Sequence, residues 1–261
     1  MTDWLAVCRG AVEDVRAVLD DLPTRNEREP VVGHGLGGDD TTAIDRAAEE
    51  VILARFRALD VSIVSEEAGR LGNGAPLVVV DPIDGSLNAK RGIPFFSLSL
   101  AIADGDRMDD VFFGYVYDFG SGEEWTATRG AGPRLNGRPL EGAPKERIEI
   151  LCFEATRTAL VARDAPKVAH LAYRVRIMGS LALSLCHLAA GRVDAVCSLR
   201  PARSVDIAAA QLLVREAGLA IDLFDDPRAF VVAELDLEGR SRVAAAGTRE
   251  LCRQVADALS A

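Results

Sequence analysis

Leu77-Val78-Val79-Val80 runs without a break into Asp81-Pro82-Ile83-Asp84-Gly85-Ser86. No other stretch constrains the fold as much. Three β-branched residues in a row predict a short strand buried on both faces. Two carboxylates three positions apart follow at once, with no lysine or arginine beside them to balance the charge. Pro82 fixes φ and stiffens the chain there, so the reading places Asp81 at the end of the strand and Asp84 one tight turn later. Carboxylates crowded at the end of a buried strand repel one another and are driven toward the neutral form. A divalent cation removes that conflict, and hard Mg²⁺ prefers oxygen ligands. Asp81, Asp84 and the carbonyl of Ile83 are therefore candidate metal donors. Glu66, which follows the apolar run Val61–Ser65, and Asp206, which opens a helix, are candidates to close the site. Gly85 and Ser86 offer backbone N–H groups to a phosphate oxygen. Metals beside a phosphate cradle point to phosphate-ester hydrolysis by a metal-activated water.

Taken singly, each signal has a plainer meaning. Asp, Pro and Gly all favour turns. Glu66-Glu67 reads as a solvated loop, Asp206 as a charge at a helix N-terminus, and Thr42-x-x-Asp45 as a capping box with Asp in place of Glu. The case rests on their occurring together.

The rest of the chain sets the frame. Its 261 residues suffice for one large domain or two intimate ones. A net charge of −10 argues against nucleic acid as a partner. Lys90, Lys145 and Lys167 are the only lysines among 30 basic residues, which leaves 27 arginines. Five scattered cysteines without a CxxC pair read as reduced core thiols, and hence a cytoplasmic protein. The N-terminal stretch has no cationic segment leading into an apolar core, so no signal peptide is expected, and no run is apolar enough to span a membrane. Helical spacing predicts helices over 3–20 and from about Thr41 to Leu59, with a loop or weak hairpin between them. Ser97–Ala103 alternates, with Leu98, Leu100 and Ile102 on one side and Ser97, Ser99 and Ala101 on the other. Asn136-Gly137 marks a hairpin turn. Beyond about residue 146, strands and helices alternate. The expected fold class is therefore a mixed α+β and α/β chain in two halves: 1–145, more antiparallel and carrying the DPIDGS segment, and 146–261, a layered α/β half supplying Asp206 and substrate contacts.

The stretches GDDTTAIDRAAEEVI, SEEAG, VVVDPIDGSLN, GIPFFSLSLAIA, LNGRPL, GSLALSLCHLAAGRVDAV and RSVDIAAAQLLVREAG stand in this order over about residues 38–220. Together they resemble the inositol monophosphatase / fructose-1,6-bisphosphatase superfamily of Mg²⁺-dependent, lithium-sensitive phosphatases. The resemblance implies a layered αβαβα sandwich of the sugar phosphatase type, two or three Mg²⁺ ions, and a homodimer. It places Glu66, Asp81, the Ile83 carbonyl, Asp84 and Asp206 on the family's metal ligands, and Gly85 and Ser86 on its phosphate-contacting turn. Ser86 stands where Thr is usual. Asp45 falls on the aspartate that pairs with that hydroxyl to take a proton from the attacking water, so Asp45, Ser86 and Glu66 are the expected catalytic groups. Asp39, with Asp40, falls on a loop that helps to hold a third ion.

Two departures bear on substrate. Val205 stands where the animal-type pattern has Trp, and Ser198 and Leu199 stand where it has an acidic residue for inositol hydroxyls. The segment SLRPARSVDIAAA is more similar to the archaeal branch, which acts on fructose 1,6-bisphosphate and inositol 1-phosphate. Asn88, Arg200 and Arg203 are then candidate substrate contacts, alongside Asp84 and Asp206, because a guanidinium binds phosphate oxygens in a bidentate way. The expected activity is hydrolysis of a small phosphorylated sugar or polyol. A 3′(2′),5′-bisphosphate nucleotidase is the second enzymatic reading, and a catalytically silent binder of phosphate ligands the non-enzymatic one.

Overall fold

The structure, a computed structural model, describes residues 2–36, 40–141 and 145–261. The first part opens with α1 (Trp4–Asp21), capped by the Asp3 carboxylate, which accepts from the Ala6 N–H. A short α2 (Arg25–Arg28) and the hairpin pair β1 (Val31–His34) and β2 (Asp40–Thr42) follow. Then come α3 (Ala43–Arg57), β3 (Ser62–Ser65), β4 (Gly69–Leu71), β5 (Leu77–Asp84) and α4 (Ser86–Arg91). The chain continues through β6 (Ser97–Ala103), β7 (Val111–Asp118), β8 (Glu124–Thr128), β9 (Gly132–Leu135) and β10 (Arg138–Pro139). Eight of these strands form one mixed sheet in the order β10-β9-β8-β7-β6-β5-β3-β4. The β9–β10 turn uses left-handed Asn136 (φ 51°) and Gly137 (φ 75°), as a two-residue hairpin connection of that sequence does.

The second part contains β11 (Ile148–Glu154), α5 (Thr158–Asp164), β12 (Ala172–Arg176), α6 (Leu181–Ala189), β13 (Ala195–Ser198), α7 (Ser204–Glu216), β14 (Ala220–Leu223), β15 (Val243–Ala246) and α8 (Arg249–Ser260). Its five-stranded sheet has the order β12-β11-β13-β15-β14, parallel on one side and antiparallel on the other.

The layering follows from which faces are apolar. α1 and α3 lay Cys8, Val12, Val15, Ile44, Ile52 and Phe56 against Val78, Val80, Leu98, Leu100 and Ile102. On the opposite face of the same sheet, Val79, Ala101, Val116 and Trp125 meet α6 and α7. Those two helices are apolar almost all round, as a helix between two sheets must be. Their far side packs on Cys152, Val196 and Ala245 of the second sheet. α8 covers that sheet's outer face through Leu251, Val255 and Leu259. The result is the expected five-layer αβαβα sandwich. α7 approaches β7 so closely that a Cβ on Gly114 would lie 2.6 Å from the Ala209 carbonyl.

The weak hairpin expected between the first two long helices is present as the antiparallel β1–β2 pair, and two details differ from the sequence reading. The short helix α2 precedes that pair. The strand does not stop at Asp81: β5 continues through Asp84, with an irregularity in its pairing to β6 between Asp81 and Asp84. Pro82 has no N–H to give to the ladder, and a bulge is where a central strand tolerates that. The alternation expected in β6 holds, with Leu98, Leu100 and Ile102 on one face and the small residues on the other, and both faces are buried.

Candidate functional site

The acidic residues come to the site from three elements. Asp81 and Asp84 lie at the end of β5, Glu66 in the corner between β3 and β4, and Asp206 in the first turn of α7. β3 and β5 run parallel and in register from Ser62–Leu77 to Ser65–Val80, which brings Glu66 level with Asp81. These four carboxylates line one cleft of about 170 Å³ together with Ile83, Gly85, Ser86 and Arg203. The wall from the second half is Ala155, Gly179 and Leu181. A larger depression of about 1030 Å³ lies between β14 and α8, but its Arg215, Arg228 and Arg253 are paired with Asp109, Asp226 and Glu250.

Burial sets the electrostatics of the small cleft. It pushes Glu66 up to about 8, with Asp206 and Glu67 adding and Arg203 opposing. It pushes Asp81 well above the ordinary carboxylate range, helped by Glu66 and Asp84. Asp84 is raised to about 6, held back by the hydrogen bond from Ser180. The Arg203 guanidinium donates to Glu66 Oε1 at 2.5 Å and to Asp206 Oδ1 at 3.2 Å, while the Arg203 N–H donates to Asp206 Oδ2 at 2.8 Å. Asp206 therefore caps its helix and faces the cleft at once. Arg203 lines the cleft as expected, but its charge is directed at the carboxylates.

Gly85, at φ 90°, starts α4 in a left-handed conformation, and a Cβ there would lie 2.9 Å from the Gly179 carbonyl. Only glycine suits both demands. Among the described residues, Ser86 Oγ donates to the Ile83 carbonyl at 2.9 Å, and not to Asp45 as the resemblance implied. Asp45 is buried at the start of α3, where its Oδ2 accepts from the backbone N–H of Thr42 at 3.1 Å and its hydroxyl at 2.5 Å. Its Oδ1 is buried with no hydrogen-bond partner among the described residues.

Other expected site residues lie elsewhere. Asn88 is spent on structure: its Nδ2 donates to the carbonyls of Phe95 and Met178, each at 2.8 Å. Arg200 is exposed and is not among the cleft residues. Asp39 lies outside the described residues, and Asp40 is exposed and paired with His34.

The sequence reading missed several contributors. Ser180 caps α6 and also donates to Asp84 Oδ2, which the Ala182 N–H reaches at 2.8 Å. A serine immediately before the apolar run that forms α6 was the available signal. Glu49 of α3 accepts from Ser65 Oγ and from the Glu67 and Ala68 N–H groups, fixing the corner that carries Glu66. Ala155 lines the cleft at φ 50°, and nothing local in its sequence marks it.

The comparisons with known proteins follow the same lines. The model of the inositol monophosphatase family matches residues 5–260. The chain belongs to the inositol monophosphatase family. Among curated members of that family's relatives, a fructose-1,6-bisphosphatase/inositol-1-monophosphatase from Archaeoglobus fulgidus is 34% identical over 250 residues, covering 95% of this chain and 94% of that protein. A protein of the same description from Methanocaldococcus jannaschii is 32% identical, covering 98% and 99%. A crystal structure described as an inositol monophosphatase–fructose 1,6-bisphosphatase superposes with a TM-score of 0.87 at 29% identity, covering 98% of this chain and all of the other.

The family is generally Mg²⁺-dependent. Among the described residues no three acids already close into a single cation cage. The donor set still fits Mg²⁺ in kind. It is all oxygen, it is largely withdrawn from solvent, and burial together with the neighbouring acids raises Glu66, Asp81 and Asp84, a strain that a divalent cation would relieve.

Proposed function

We propose that this member of the inositol monophosphatase family is a Mg²⁺-dependent phosphomonoesterase acting on fructose 1,6-bisphosphate and inositol 1-phosphate. One observation carries the reading: Glu66, Asp81, Asp84 and Asp206, from three separate elements, share a cleft with the Gly85–Ser86 turn. The archaeal relatives named above bear both activities in their descriptions.

Glu66, Asp81, Asp84, Asp206 and the Ile83 carbonyl would hold two or three ions. Held by these groups, Mg²⁺ would supply positive charge to offset the carboxylates and the phosphate and would lower the pKa of water. The chain's own residues do the rest. The Ser86 and Leu87 N–H groups precede the first hydrogen bonds of α4, which run from Asn88 and Ala89 to the Gly85 carbonyl, and would offer a cradle for phosphate oxygens. Asp45 is not among the residues lining the cleft, but its Oδ1 has no partner among the described residues, and it would accept the proton of the attacking water through a relay. Ser86 can relay that proton only by turning its hydroxyl away from the Ile83 carbonyl. The apolar wall of Leu181 and Ala155 presents no acid to substrate hydroxyls, which suits a phosphosugar more than selective recognition of inositol.

The test is phosphate release from fructose 1,6-bisphosphate, inositol 1-phosphate and adenosine 3′,5′-bisphosphate, with Mg²⁺ and with EDTA. Turnover of the first two that EDTA abolishes supports the reading. Preference for the nucleotide would make the chain a bisphosphate nucleotidase, and turnover indifferent to EDTA would end the metal reading. The assembly is proposed to be a homodimer, which light scattering of the purified protein would check.

A further inference from the structure

Glu154 closes β11, is 1% exposed, and has no part in the chemistry proposed above. Among the described residues no lysine or arginine pairs with it. Three donors converge on its carboxylate instead: Ser184 Oγ at 2.7 Å and the Met178 N–H at 3.3 Å on Oε1, and the Gly179 N–H at 2.8 Å on Oε2. Burial pushes its pKa up to about 7. A buried acid without a counter-charge is costly, and an apolar or neutral residue would be cheaper there unless the contacts matter.

The contacts fix the turn from Met178 to Ser180, between β12 and α6. That turn reaches across to the first half at three points. The Met178 carbonyl accepts from Asn88. Gly179, at φ 96°, passes so close that a Cβ would lie 2.7 Å from Asn88 Nδ2, and its carbonyl sits against Gly85. Ser180 donates to Asp84 Oδ2, with the Ala182 N–H on the same oxygen. Ser184 lies one turn along α6, so Glu154 locks the turn and the start of the helix into one body.

We propose that Glu154 is a positioning residue. By anchoring the Met178–Ser180 turn through its two carboxylate oxygens, it sets the second-half wall of the cleft and the orientation of Asp84. The inference rests on the phosphatase reading above. Its logic is that of outer hydrogen-bond partners in metal sites, whose loss typically costs about 10–100-fold in metal affinity or activity.

The substitution Glu154→Gln keeps the volume but replaces one acceptor with a donor, which would meet an N–H of the turn or the Ser184 hydroxyl. Ser184→Ala removes one contact and leaves both turn N–H groups held. The experiment titrates Mg²⁺ into the metal-free proteins and follows the thermal unfolding midpoint, then measures kcat and KM for fructose 1,6-bisphosphate at saturating Mg²⁺. For Glu154→Gln, the Mg²⁺ concentration giving half the full shift in midpoint rises about 10–100-fold, and kcat falls by a similar factor. Ser184→Ala moves both in the same direction by less. A Glu154→Gln protein that melts earlier but responds to Mg²⁺ and turns over like wild type would overturn the proposal, because its role would be structural alone. If Glu154→Gln does not fold, an unchanged Mg²⁺ response in Ser184→Ala overturns it equally. A wild-type protein that shows no Mg²⁺ response sinks the phosphatase reading itself, a result distinct from either.

Discussion

Asp84 carries two loads at the residue scale. It faces the cleft, and its Oδ2 holds the start of α6 through Ser180 and Ala182. Asp84→Asn keeps the shape and one carbonyl oxygen for those donors. Phosphate release should fall by more than about 100-fold, as when a group that stabilises transition-state charge is removed, while the unfolding midpoint stays near wild type. A collapsed mutant would mean that Asp84 is chiefly structural. Arg203 is the converse case, a cation among acids. Its loss leaves Glu66 and Asp206 buried without their partner, so Arg203→Ala should destabilise the metal-free protein by about 3 kcal/mol, with added Mg²⁺ restoring much of it. Chemical unfolding with EDTA and with Mg²⁺ checks the pair. The protons make a related prediction. Glu66, Asp81 and Asp84 are all raised in the folded state. The folded protein therefore binds more protons than the unfolded chain between the ordinary carboxylate range and about 8. Stability of the metal-free protein must fall as pH rises through that window. Melting in EDTA should show the midpoint declining from pH 5 to pH 8, and Mg²⁺ should flatten the decline.

Elements explain why these residues meet. β3 and β5 pair in parallel, so the residues after both strands emerge at the same edge. After the irregularity between Asp81 and Asp84 the strand resumes its pairing, Asp84 against Ser97, and leads straight into Gly85, which starts α4. Gly85→Ala would face both φ 90° and the Gly179 carbonyl 2.9 Å away. A cost of about 1–3 kcal/mol is expected from the backbone conformation alone, with activity lost well before the fold. Measuring the unfolding midpoint and turnover on the same sample separates the two. The capping box at Thr42 and Asp45 was legible in four residues, and it is made. The same carboxylate keeps one oxygen without a partner among the described residues, and that oxygen is the one proposed to serve the chemistry. Ser86 was legible as a hydroxyl beside the acids, but its partner was not, because the bond it makes is to a backbone carbonyl, that of Ile83, which no side-chain pattern marks.

The whole molecule is held by its middle layer. α6 and α7 bury side chains against both sheets, so neither half can open without exposing them. Leu213 is fully buried in that layer. Leu213→Ala should cost about 3 kcal/mol and lower a single unfolding transition. Two separated transitions in urea would show that the halves are independent. The sequence by itself determined the elements and their order, because hydrophobic period, caps and turn residues act over a few positions. It also marked the acids as a group, since charge ending a buried strand needs an explanation wherever it falls. The tertiary structure decided what those acids face. It set Arg203 against Glu66 across 137 positions, put Asn88 to use as a bridge, and gave Glu154 its turn to hold. Such pairings depend on how two sheets sit across a shared helix layer, and no local pattern in a chain encodes the distance between its far-apart ends.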